Sequence, residues 1–68
     1  MIDITKIRVY MLLKGLNLTL LSIKLNKPKS TLHRWFERKD MPVSYAGKLI
    51  EILDIPRNEL LDVFFKSL

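Results

Sequence analysis

Six cationic side chains, Lys24, Lys27, Lys29, Arg34, Arg38 and Lys39, fall within residues 24–39, a stretch that holds one acid, Glu37. The remaining positions carry equal numbers of basic and acidic residues, so the formal net charge of +5 is concentrated in this block. Lys and Arg at this density neutralise phosphates and release the counterions condensed on a polyanion, which makes nucleic acid the first partner to consider. A charge run is also what an ordinary solvated helix face presents. Residues 27–42, KPKSTLHRWFERKDMP, interleave the cations with hydroxyls, the lone histidine and the only tryptophan, and end on a proline.

Other chemistries are poorly supplied. The chain has no cysteine, which removes thiol nucleophiles, disulfides and cysteine-based zinc sites. His33 is the only histidine, so no metal site is expected, and its side chain is read as an exposed donor to base or phosphate. There is no glycine-rich phosphate loop and no nucleophile beside a base; Glu51, Asp54, Glu59 and Asp62 read as solvated helix carboxylates. A non-enzyme without cofactor or metal is expected.

Positioning these residues requires a scaffold that 68 residues can supply only as one small domain, 1–68, and 49% apolar content gives it core material. The longest apolar run, residues 9–13, is far short of the roughly 20 needed to span a bilayer, and no signal pattern precedes it. A cytoplasmic protein with no membrane partner is expected.

Apolar residues recur at three and four, and Gly15 with three prolines divides the chain into five expected helices. The first covers about residues 3–14, capped by Asp3, with Ile4, Ile7, Tyr10 and Met11 inward and Gly15 as its stop. The second follows Asn17 and runs to about Leu25, with Leu21, Leu25 and Ser22 inward and a left-handed Asn26 closing it. The third runs from around Pro28 to about Glu37, with Leu32 and Trp35 inward, Trp35 serving as core rather than as a stacking platform. The fourth follows Pro42 with Ala46, Leu49, Ile50 and Leu53 inward; the fifth starts near Pro56 with Leu60, Leu61, Phe64, Phe65 and Leu68 in one stripe. The expected fold class is an all-α, compact five-helix bundle.

Two short helices joined by a brief turn, the second of them basic, match the arrangement that places a recognition helix in the major groove. Residues 15–42, GLNLTLLSIKLNKPKSTLHRWFERKDMP, resemble the helix-turn-helix of the phage Cro and repressor (XRE-type) family, and LIEILDIPRNELL resembles that family's fourth and fifth helices. The resemblance implies a lambda-repressor-like domain and a short Cro-like regulator, with a double-stranded DNA operator as partner and no separate oligomerisation domain. It places Ser22 at the small position of the motif's first helix and Asn26 at the turn. Leu32 and Trp35 fall at the buried recognition-helix positions. Lys29, Ser30 and Arg34, with His33 beside them, fall where such proteins reach base edges. Leu18 stands where a phosphate-touching glutamine is common, Lys27 where an apolar turn residue is usual, and Pro28 where a Ser or Thr cap is usual.

The residue pattern agrees with that assignment: with Leu32 and Trp35 inward, Lys29, Ser30, His33 and Arg34 are left outward. Arg34 can bond the O6/N7 edge of guanine with both arms, a contact of about 1–3 kcal/mol in discrimination. Lys24, Lys27, Arg38 and Lys39 flank the helix and are assigned to phosphates. A second reading keeps the fold but binds a partner repressor protein, as an antirepressor would; Leu18, Leu20 and Ile23 add apolar surface beside the DNA face. The Leu60, Leu61, Phe64, Phe65, Leu68 stripe is broader than one packing face needs. It serves either the core alone or a homodimer as well.

Overall fold

The computed structural model describes residues 2–65, in which the regular elements are all helices and there is no strand. Asp3 accepts the Lys6 amide on its carboxylate at 3.2 Å and starts α1 (Ile4–Leu13); Asn17 accepts the Leu20 amide at 2.8 Å and starts α2 (Leu18–Leu25). Each side chain satisfies one of the orphan donors that open a helix. Pro28 precedes α3 (Lys29–Arg38) and Pro42 precedes α4 (Val43–Leu53). Pro56 precedes a short 3₁₀ turn, Arg57–Glu59, that leads into α5 (Leu60–Phe64).

Four helices stop by one device. Gly15, Asn26, Lys39 and Asp54 adopt left-handed backbone, at φ 68°, 54°, 55° and 52°. The next amide then bonds the carbonyl five residues back: Leu16 to Met11 at 2.8 Å, Lys27 to Ser22 at 3.0 Å, Asp40 to Trp35 and Ile55 to Ile50 at 3.1 Å. This closure occupies carbonyls that a helix end would otherwise leave open. Prolines 28, 42 and 56, with φ near −60°, then restart the chain in a new direction.

The core takes Ile4, Ile7 and Met11 from α1, Leu21 and Leu25 from α2, and Leu32 and Phe36 from α3. Leu49 and Leu53 come from α4, Val63 and Phe64 from α5, and Ile2 and Ile55 from the connections. The inward positions expected for the first, second and fourth helices are buried or half-buried. Helix α3 packs on α2, α4 on α2, and α1 on α5. The amino-terminal segment ties the bundle together, because the Ile2 amide donates to the Lys39 carbonyl at 2.9 Å and the Asp3 amide to the Val63 carbonyl at 2.7 Å.

Two expectations need correction. The buried pair of α3 is Leu32 and Phe36, a residue not expected inward, whereas the expected Trp35 packs against the core but is half-buried. A phenyl ring is buried without a polar atom to satisfy, but an indole carries an N–H, and Trp35 instead lies on the flank against Tyr45, with centroids 5.2 Å apart. The fifth helix is short, and its buried residues are Val63 and Phe64 rather than the full aromatic and leucine stripe. The expected extension to Leu68 lies outside the described residues.

Truncating the wholly buried Leu32 to Ala should cost about 2–5 kcal/mol in urea unfolding. Ile23→Ala, at a side chain 70% exposed, should stay within about 0.5 kcal/mol.

Candidate nucleic-acid interface

On an α-helix, successive side chains are turned by about 100°. Arg34 is two residues from both Leu32 and Phe36, so it points about 160° away from each. Ser30 and Arg38, one turn before and after Arg34, extend the same outward line. Lys29, Ser30, His33 and Arg34 are all exposed, as are Lys24, Arg38 and Lys39, while Lys27 is half-buried. Of the base-edge candidates, Ser30 and Arg34 therefore lie on the outer side of α3, His33 lies on its flank, and Lys29 is in line with Leu32 and Phe36 but exposed at the first position of the helix. Lys27 precedes α3, Arg38 and Lys39 end it, and Lys24 lies on α2. Glu37 is exposed on α3 as well and interrupts the positive charge.

Charge on this face is not neutralised from within. Among the described residues the ion pairs are Lys14 with Asp54 and Lys6 with Asp62 at 3.9 Å, both outside residues 24–39. Their members are largely exposed, so these pairs add little to stability.

The helix starts around the basic block lack the side-chain caps that open α1 and α2. Pro28 and Pro42 offer no side-chain acceptor, and the described hydrogen bonds include none from the amides of Lys29, Ser30, Val43 or Ser44. Open amides at the positive end of a helix favour negative charge. Lys39 is unusual among the left-handed stops. Gly, Asn and Asp tolerate that conformation, but a lysine gains nothing local from it.

Side chains that sequence reasoning did not select complete the region. Tyr45, in the first turn of α4, has the Lys27 ammonium 5.1 Å and the Lys48 ammonium 4.9 Å from its ring centroid. The guanidinium of Arg8 lies 5.2 Å from the ring centroid of Phe36, joining α1 to α3. The Tyr45 and Lys48 pairing at i, i+3 was visible in the sequence. The approach of Lys27 and Arg8 arises from helix packing and left no local signal.

The apolar candidates separate. Leu18 is half-buried, Leu20 is 43% exposed and Ile23 70% exposed; Leu12 and Leu13 on α1 are more exposed still, at 78% and 75%. Of the proposed pairing stripe, Phe64 is buried and Leu60 half-buried, because α5 turns them toward the core beside Val63. Leu61 and Phe65 remain exposed, and Leu68 lies outside the described residues. Phe65 borders a cleft of about 310 Å³ floored by Ile2, Ala46, Ile50 and Phe64.

Among the described residues no cluster of His, Cys, Asp or Glu is arranged to hold a metal, and no helix is long and apolar enough to cross a membrane. No family model, curated protein or solved structure matches the chain.

Replacing Lys39 by Gly relieves a left-handed β-carbon at some entropic expense and should raise stability by up to about 1 kcal/mol. Thermal unfolding monitored by circular dichroism measures the change.

Proposed function

We propose that the chain is a sequence-specific DNA-binding regulator of the Cro type, acting in the cytoplasm, with α2 and α3 as its helix-turn-helix and α3 as the reader in the major groove. The observation that carries this reading is the orientation of α3. Leu32 and Phe36 hold it down, while Arg34 projects nearly opposite them among cations without carboxylate partners. In this reading Lys29, Ser30, His33 and Arg34 meet base edges, and Lys24, Lys27, Arg38 and Lys39 hold phosphates. Retention of a lysine at a left-handed stop supports a phosphate role for Lys39, since backbone strain tends to persist where function needs it. The resemblance of residues 15–42 to Cro and repressor proteins supplies the setting of a phage or prophage switch.

A second copy paired through the exposed Leu61 and Phe65 would place two α3 helices on a pseudo-palindromic operator. The rival reading, an antirepressor-type protein that binds a partner repressor, is favoured by exposed Leu12, Leu13 and Ile23.

Anisotropy titration on DNA from the chain's own promoter region separates the two. A protein gripping about four phosphates should lose about a hundredfold in affinity between 50 and 200 mM salt. No binding at 50 mM salt contradicts DNA recognition and leaves the partner-protein reading. Arg34→Ala should cost about 1–3 kcal/mol on the preferred sequence and relax base preference, whereas Lys39→Ala should weaken all sequences alike. Equal loss of preference in both variants would show the roles to be misassigned.

A further inference from the structure

We propose that Lys27, Tyr45 and Lys48 form a separate phosphate subsite beside α3, in which one tyrosine ring holds two ammonium groups against the backbone of bound DNA. The inference rests on the DNA-binding reading and extends the contact surface to α4, outside the basic block. Lys27 comes from the turn before α3, whereas Tyr45 and Lys48 come from the first two turns of α4. Both ammonium nitrogens lie about 5 Å from one ring centroid, so they are no more than about 10 Å from each other.

The two ammonium groups converge on one ring rather than on acids. No carboxylate among the described residues pairs with either, and Lys48 makes no ion pair with Glu51, one turn further along α4. The ring's negative face attracts each ammonium and biases both side chains toward it. Lys27 is already half-buried, so part of its conformational freedom is lost in the free protein. The open amides of Val43 and Ser44 lie in the same first turn of α4 as Tyr45 and add partial positive charge. Two cations gathered on one ring beside such a helix start suit a phosphodiester anion.

Placement fits the same ligand. Tyr45 packs against Trp35, which lies on the flank of α3 rather than its outer line. A helix in the major groove has its reading line toward the bases and its flanks toward the backbones that border the groove. A phosphate subsite therefore belongs at the flank, where it fixes the position of α3 without contributing sequence preference.

The test is salt-dependent anisotropy of the full chain on one duplex, comparing wild type with Lys48→Ala, Tyr45→Phe, Tyr45→Leu and Lys14→Ala. Lys48→Ala should flatten the slope of log affinity against log salt by about 0.9, a fall from 50 to 200 mM about threefold smaller than that of wild type, with base preference unchanged. Tyr45→Phe keeps the ring face and should keep the wild-type slope; Tyr45→Leu should flatten it, with folding checked by circular dichroism. An unchanged slope in Lys48→Ala overturns the subsite, and an unchanged slope in folded Tyr45→Leu removes the ring from it. Equal flattening by Lys14→Ala, a cation paired with Asp54, would reduce the effect to net charge and also overturn the proposal. Failure of the wild type to bind at 50 mM salt overturns the DNA reading and the subsite together, whereas wild-type binding with an unaltered Lys48→Ala slope overturns the subsite alone.

Discussion

Leu32 is wholly buried and Phe36 nearly so, and they lie one turn apart on the same side of α3. Side chains of a helix cannot roll independently of one another, so burying this pair sets the direction of every other residue on α3. Arg34 is turned outward because Leu32 and Phe36 are turned in. Packing of α3 on α2 and the Arg8 contact with Phe36 hold the same roll from two sides. The proposed reading face is thus a consequence of core packing, and a change in the core would reach the interface before any basic residue was altered.

The connections impose a second constraint. A left-handed residue stops each of the first four helices, and after α2, α3 and α4 a proline restarts the chain within three residues of that left-handed residue. Such short links leave little freedom in how successive helices are arranged, and they bring Lys27, before α3, within reach of Tyr45 on α4. The same economy leaves α3 and α4 without side-chain caps. Their open amides fall beside the greatest density of positive charge. Lys39 combines both themes, since it ends α3 in a strained conformation and keeps a cation where Gly would be more comfortable.

Much of this was legible in the sequence because the signals were local. Asp3, Asn17, Gly15, Asn26 and the prolines mark helix ends through their own backbone and side-chain chemistry, and the structure places the ends within about one residue of those marks. What was not legible depends on three-dimensional choice. Spacing alone allows Trp35 or Phe36 as the partner of Leu32, and the decision falls to the cost of burying an indole N–H against the fit of a phenyl ring. Phe64 and Phe65 posed the same ambiguity in α5, where a single turn decides which aromatic faces the core and which the solvent. The approach of Lys27 and Trp35 to Tyr45 was hidden because those residues come from different elements. All-helical architecture followed from periodicity, whereas the assignment of its basic face to DNA rests on charge, geometry and resemblance together.

The central claim is that the outer side of α3 and the adjoining start of α4 meet DNA. It is tested most directly by following backbone amide resonances as a duplex from the chain's promoter region is titrated into labelled protein. The account predicts that the largest shifts fall on Lys29, Ser30, His33, Arg34, Val43 and Ser44, with Val9, Leu12 and Leu13 on α1 left unmoved. No shift, or shifts centred on α1 and Ile23, would contradict it.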